Sequence, residues 1–75
     1  MPRPETLKSL LAAAFPDARV EVNDLTGTMD HFQALVVTRA FQGKTRIEQH
    51  QMVYAALGEL MAGEIHALAL TTRVE

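Results

Sequence analysis

The chain has 75 residues, of which 48% are apolar and 21% charged, with three histidines, no cysteine and a formal net charge of −2. This length permits one domain, which we expect to span residues 1–75 with an ordered core over 5–72. The charge balance argues against a strongly basic nucleic-acid-binding face, and the lack of cysteine excludes a disulfide or a thiolate metal site within the chain. No apolar run approaches the ~20 residues that cross a bilayer, so we expect a cytoplasmic protein without a membrane partner.

The first predicted element is an amphipathic helix near the start of the chain. Pro4 fits its first turn, where the missing N–H would be unpaired anyway, and Pro16 ends it. One apolar face is predicted from residues spaced three and four apart, namely Leu7, Leu10, Leu11, Ala14 and Phe15.

Two strands are predicted next, in ARVEVND and HFQALVVTRAF. Val20 and Val22 alternate with polar residues, which is typical of a half-exposed edge strand. The second segment is apolar on both faces, which is typical of a central strand. The connection DLTGTMD favours a turn, so the two strands should form an antiparallel hairpin. The open edge at RVEV offers a second copy a place to pair, and a homodimer is therefore one expected assembly.

A second helix is predicted after Gly43. Thr45 and Glu48 have the spacing of a capping box, and Gly63 is predicted to end the helix. Its apolar stripe is predicted to comprise Ile47, His50, Val53, Tyr54, Leu57, Leu60 and Met61. EIHALALTT, residues 64–72, is the third predicted strand. A crossover of this length usually joins parallel neighbours, so the order α-β-β-α-β predicts an α+β fold with a three-stranded mixed sheet and the helices packed on one face.

Two of the three histidines are predicted to share one edge of this sheet. His31 precedes the second strand and His66 lies near the start of the third. If these strands are parallel neighbours ~4.8 Å apart, both imidazoles can face one small ligand. Spacing alone leaves a structural role open for both, because sequence does not fix the register. His50, in the second helix, is interpreted as a packed structural histidine with one ring nitrogen hydrogen-bonded.

A metal bound by His31 and His66 would need further ligands. A closed zinc site takes four, usually Cys and His, and the nearby Asp24 and Asp30 have ordinary turn roles. An incomplete ligand set indicates a site shared with a second molecule. Histidine ligation of one iron in a [2Fe–2S] cluster is established chemistry.

The motifs along the chain resemble those of the BolA family. HFQALVVTRAFQGKTRIEQHQMVYAAL followed by EIHALALTT carries the resemblance, which covers residues 5–72. Its most specific parts are HF, FQGK, HQMVY and IHALAL. The resemblance implies a KH-like fold, in agreement with the predicted order of elements. It also implies an adaptor that binds a monothiol glutaredoxin with a CGFS-type active site, in iron–sulfur trafficking or iron homeostasis.

In such complexes a [2Fe–2S] cluster bridges the two proteins, and no cofactor is expected in the isolated chain. The resemblance implies that the glutaredoxin supplies its cysteine and a glutathione thiol, while the BolA-like protein supplies the histidine of IHAL, His66 here. A second ligand, Cys or His in many members, comes from the loop before the central strand. This sequence departs from the pattern there, because DLTGTMDH has no cysteine, and the candidate is His31 at its end.

The resemblance also implies an alternative of a different class, a nucleic-acid-binding transcriptional regulator of stress response or cell morphology. Its candidate surface is Lys44 and Arg46 at the helix start, where backbone N–H groups can hold a phosphate. GKTR lacks the second glycine of a GXXG loop, and a capped, solvated helix start is the structural alternative. No Ser/His/Asp arrangement, Cys nucleophile or phosphate-cradling glycine loop is present, so we expect no enzymatic activity.

Overall fold

Helices and strands follow one another in the predicted order α-β-β-α-β. The structure is a computed structural model, and it describes residues 3–25, 27, 31–58, 60–63 and 67–75. Its elements are α1 (Pro4–Ala14), β1 (Arg19–Asp24), β2 (His31–Thr38), a 3-10 helix (Arg39–Phe41), α2 (Arg46–Leu57), α3 (Leu60–Gly63) and β3 (Ala67–Val74). The 3-10 helix and the separation of α3 from α2 were not predicted.

The three strands form one mixed sheet in the order β1-β2-β3. β1 pairs antiparallel with β2, and Val20 lies opposite Val36. β3 pairs parallel with β2, and Ala34 lies opposite Leu70. The predicted hairpin, the edge position of β1 and the central position of β2 are therefore confirmed.

Only one face of the sheet is covered by helices. Along β2 the even-numbered side chains are buried, and Phe32 and Val36 have no exposed surface. Gln33, on the opposite face, is exposed. The buried apolar residues form one core of Leu7, Leu11, Phe15, Val20, Phe32, Ala34, Val36, Phe41, Val53, Leu57 and Leu70. The predicted fold class, with helices on one face of a mixed sheet, is confirmed.

Helix α1 buries a narrower stripe than predicted. Leu7 and Leu11 are fully buried, whereas Leu10 is 37% exposed and Ala14 is exposed. A row of residues four apart suffices because the helix packs along β1 with a single ridge. Phe15, directly after the helix, completes the row and meets the ring of Phe41 edge-on at 5.4 Å.

Helix α2 begins as predicted. The Thr45 hydroxyl oxygen accepts the N–H of Glu48 at 3.1 Å. The Glu48 carboxylate in turn accepts the N–H of Thr45 at 2.9 Å. This is the reciprocal capping box, which satisfies two backbone donors at the first turn.

The predicted apolar stripe of α2 is confirmed only in part, and the predicted C-terminal end of the helix is wrong. The buried row is Gln49, Val53 and Leu57, while Ile47 is 71% and Tyr54 38% exposed. The predicted stripe and the buried row both contain Val53 and Leu57. They differ at the start of the helix, where the polar Gln49 is buried instead of the apolar Ile47. The helix ends at Leu57 rather than Gly63, since Gly58 has φ 57° and ψ −128°, which no continuing helix adopts.

The third strand extends beyond the end of its predicted range of 64–72. It runs over Ala67–Val74 in the described part of the chain, and residues 64–66 lie outside that part. Thr72 is therefore an interior residue of β3, although the prediction placed it at the end.

Candidate functional site

The starts of β2 and β3 lie side by side at one edge of the sheet. His31 is the first residue of β2, and its Cα pairs with that of Ala67, the first residue of β3. The carbonyl of His31 accepts the N–H of Leu25 at 2.9 Å, which holds the hairpin closed at this end. The side chain of His31 is half-buried. The predicted common edge for the two strand starts is therefore confirmed.

His66, the other predicted ligand, lies outside the described residues, and so does Asp30. The residue in register with His31 is Ala67, which follows His66 in the sequence. The joint action of His31 and His66 stays a prediction. Asp24 has the turn role expected of it, because its carboxylate accepts the N–H of Gly27 at 3.0 Å.

His50 lies in α2 and is far in sequence from both candidate ligands, His31 and His66. Its ring meets that of Tyr54 edge-on, with centroids 6.3 Å apart. The Nε2 atom is buried and has no hydrogen-bond partner among the described residues. The predicted packing of this histidine agrees with the ring contact, and the hydrogen bond expected for it is not found at Nε2.

The predicted phosphate position at the start of α2 is largely occupied. Lys44 and Arg46 are exposed, but the capping box already uses the N–H groups of Thr45 and Glu48. These hydrogen bonds, from the backbone and then the hydroxyl of Thr45, lower the pKa of Glu48 below its ordinary value. The carboxylate is therefore ionised at neutral pH, and a phosphate would meet a negative charge there.

A polar clamp that the sequence did not reveal ties the end of β2 to the turn before β1. The Asp17 carboxylate accepts the hydroxyl of buried Thr38 at 2.8 Å and the N–H of Arg39 at 3.2 Å. The same hydroxyl oxygen accepts the N–H of Ala40 at 3.2 Å. These bonds begin the 3-10 helix and lower the pKa of Asp17, chiefly through the Thr38 hydrogen bond and then that of Arg39.

A second unpredicted contact ties α2 to β3. Gln49 is buried, and its side-chain N–H donates to the Lys44 carbonyl at 2.9 Å. Its oxygen accepts the Thr72 hydroxyl at 2.7 Å. This bridge fixes β3 relative to the helix, so it helps to set the position of the strand that begins at the candidate site. The sequence sign of this contact is that Gln49 lies four residues before Val53, which places both side chains on the same face of the helix.

Within the part of the chain that the structure describes, three or more His, Cys, Asp or Glu side chains nowhere converge as a metal-binding group. No helix there has the length and apolar character needed to cross a membrane.

The family model described as BolA-like protein matches residues 11–75. The Escherichia coli (strain K12) protein named DNA-binding transcriptional regulator BolA is 33% identical over 75 aligned residues, which cover 91% of this chain and 71% of that protein. BolA-like protein 1 of Bos taurus is 43% identical over 47 residues, or 63% of this chain, and the match spans only 35% of that longer protein. A solved bolA homologue from Coxiella burnetii has TM-score 0.80 and 32% identity, with 99% of this chain and 92% of that chain covered.

The three-stranded mixed sheet with helices on one face and a histidine at the start of the central strand defines a small α+β domain of the BolA type. Because the family model covers most of the sequence, the chain belongs to the BolA-like family.

Proposed function

We propose that this chain is an adaptor, without catalytic activity of its own, that binds a monothiol CGFS glutaredoxin and shares a bridging [2Fe–2S] cluster with it. The cluster is cargo for iron–sulfur trafficking or iron homeostasis. The observation that carries the proposal is the parallel register of His31 with Ala67, the residue after His66. It brings His31 and the residue that follows His66 in the sequence to the same end of the sheet.

The donor set at this edge suits a shared cluster. Imidazole is the side chain best suited to ligate an iron–sulfur cluster here, because the chain has no cysteine. His66 is proposed as the first ligand and His31 as the second, while the glutaredoxin cysteine and a glutathione thiol complete the set. Iron accepts imidazole ligands in such clusters, and the ligating nitrogen must be deprotonated, so binding should weaken on acidification.

The strand start gives His31 a defined position. Phe32 is fully buried beside it, and the N–H of Leu25 holds its carbonyl. A ligand whose backbone is held in this way loses little conformational freedom on binding. In the proposed complex, the chain's own part is to hold and orient imidazoles at an edge that a second protein can reach.

The test is anaerobic reconstitution of this chain with a monothiol glutaredoxin, glutathione, iron and sulfide, followed by size separation and visible circular dichroism. The expected result is a mixed complex whose spectrum differs from that of the glutaredoxin homodimer. If the two proteins separate and the cluster spectrum is unchanged, the proposal fails.

Nucleic-acid binding is the second candidate, and two observations favour it. The Escherichia coli relative is named a DNA-binding transcriptional regulator, and Lys44 and Arg46 are exposed beside the first turn of α2. The capping Glu48 opposes it by placing a carboxylate among the same backbone N–H groups. If this candidate holds, DNA or RNA should be retarded in a gel at ~150 mM salt, and Lys44→Glu with Arg46→Glu should abolish retardation.

A further inference from the structure

Among the described residues, no backbone hydrogen bond from another element reaches the outer edge of β1. Leu25 donates its N–H to the carbonyl of His31, so these two residues form a hydrogen-bonded pair of the antiparallel ladder. Such pairs alternate along the ladder, and the unbroken register makes Asn23, Glu21 and Arg19 the other residues bonded to β2. The N–H and C=O groups of Val20 and Val22 therefore point away from β2, toward the edge.

This edge has few of the features that usually prevent strands from pairing. β1 is an outer strand of the sheet, and the structure describes all of its residues. It contains neither lysine nor proline, and its register with β2 runs without a bulge from Arg19 to Asp24. Lysine, proline and bulges are common protections of a sheet edge, and β1 carries a further one, the exposed charges of Arg19 and Glu21. An extended strand of matching charge can therefore add to it.

The charges on β1 are complementary to those of a second β1 strand that runs antiparallel to it. Arg19 and Glu21 lie on the uncovered face and form an ion pair at 3.0 Å, with their side chains 75% and 48% exposed. We propose that β1 pairs antiparallel with β1 of a second copy in a register centred on Val20. Arg19 of each copy then lies opposite the second copy's Glu21, and the four charges alternate in sign around the two-fold axis.

The backbone groups fit this register. The two Val20 residues exchange N–H and C=O bonds across the axis. Val22 then lies opposite the second copy's Ala18, and the Val22 N–H donates to the Ala18 carbonyl. The Ala18 N–H is not needed, since it already donates to the carbonyl of Phe15 at 2.9 Å.

The neighbouring registers are less favourable. Pairing Val20 with Val22 would place Glu21 opposite the second copy's Glu21, and like charges directly opposite are destabilising. Centring the pair on Val22 would place Arg19 opposite the apolar Leu25. The register centred on Val20 is the one of the three that forms opposite-charge pairs on both sides of the axis.

The resulting dimer would have one continuous sheet, with the helices of both copies on the same side. Val20 is five residues from Leu25, the partner of His31, which is about 17 Å along the strand. The dimer interface therefore leaves the end of the sheet that contains His31 accessible. A wild type that does not dimerise would leave the proposal of glutaredoxin binding unaffected.

The test is sedimentation velocity of the isolated full chain over a range of concentrations, with charge-reversal variants. The wild type should show a monomer–dimer equilibrium. Arg19→Glu or Glu21→Arg should each weaken dimerisation about tenfold, which corresponds to about 1.4 kcal/mol, because opposite-charge pairs become like-charge pairs. The double variant Arg19→Glu with Glu21→Arg should restore dimerisation.

Two further variants control for folding and for general charge effects. Arg73→Glu makes the same charge change on the uncovered face, but on β3, and should leave the dimer unchanged. Val22→Pro removes an N–H that β2 does not use, so it should keep the far-ultraviolet spectrum and lose the dimer. A wild type that stays monomeric at ~1 mM, a double variant that does not recover, or equal effects of Arg73→Glu and Arg19→Glu would overturn the proposal.

Discussion

His31 and Ala67 are Cα partners at the first position of the parallel ladder between β2 and β3. Parallel strands run in the same direction, so their starts meet at one edge. His31 and Ala67, which are far apart in the sequence, are thereby brought to the same end of the sheet.

The Gln49 bridge should contribute measurably to stability. Gln49→Ala would leave the Lys44 carbonyl and the Thr72 hydroxyl without their partner. Two part-buried hydrogen bonds are lost, and since each contributes about 0.5–1.5 kcal/mol, the total is about 1–3 kcal/mol. We expect the free energy of unfolding, measured by urea denaturation, to fall by about this amount.

Gln51→Ala is the matched control, since Gln51 is an exposed glutamine of the same helix. Its effect should stay within about 0.5 kcal/mol. The effect of Thr72→Val should be much smaller in the Gln49→Ala background than in the wild type, because the partner is already gone. Equal losses for Gln49→Ala and Gln51→Ala would show that the bridge does not stabilise the fold.

The Asp17 clamp predicts a specific pH dependence. Hydrogen bonds from Thr38 and Arg39 lower the pKa of Asp17 below its ordinary value of 3.8. The stabilisation is therefore fully present above pH 3.8 and is lost as the pH falls through the lower, folded-state pKa. Asp17→Asn should have a lower Tm than the wild type at neutral pH, and the difference should shrink in acid.

Thermal unfolding of the two proteins from about pH 7 to about pH 2 measures this difference. Glu48, whose pKa is also lowered, is present in both proteins, and its contribution cancels in the comparison. A Tm difference that is constant with pH, or an Asp17 pKa of 3.8 or above by NMR titration, would contradict the clamp.

Gly58 should resist substitution because of its backbone conformation. With φ 57° and ψ −128°, it occupies a region that L residues rarely adopt, at a cost on the order of 1–3 kcal/mol. An added Cβ would meet only the Ala55 carbonyl, at an ordinary 3.9 Å. Gly58→Ala should therefore destabilise the fold through the backbone alone.

A chemically synthesised chain with d-alanine at position 58 is the sharpest control. The mirror image of this conformation lies near the extended polyproline region, which alanine adopts freely. The d-alanine chain should be as stable as the wild type in urea, while the l-alanine chain is less stable. Equal destabilisation by both enantiomers would mean that crowding, rather than the sign of φ, governs the site.

Local patterns in the sequence predicted the order of elements and much of their pairing. Alternation of Val20 and Val22 identified an edge strand, and the Thr45–Glu48 spacing identified a helix start. Both signals act over a few residues, and tertiary packing did not override them. The common edge of the β2 and β3 starts followed from the crossover between them, because its length favours parallel pairing.

Features set by tertiary contacts could not be predicted in this way. Asp17 and Thr38 lie in different segments, and the local sequence around one residue does not indicate a contact with the other. On α2, Val53 and Leu57 belong both to the predicted apolar stripe and to the buried row. A prediction based on apolar residues therefore selects Ile47 rather than the polar Gln49. Hydrogen bonds to the Lys44 carbonyl and the Thr72 hydroxyl make burial of Gln49 favourable, and Thr72 is on a strand distant in the sequence.

Ligation of a glutaredoxin-bound cluster by histidine at the β2 and β3 starts is tested by visible circular dichroism of the reconstituted mixed complex, with single His→Ala variants at positions 66, 31 and 50. His50 is the matched control, because it packs against Tyr54 in α2. We expect His66→Ala to abolish the mixed-complex spectrum, His31→Ala to alter it, and His50→Ala to leave it unchanged. An unchanged spectrum for His66→Ala, or equal loss in all three variants, would contradict the proposed ligation.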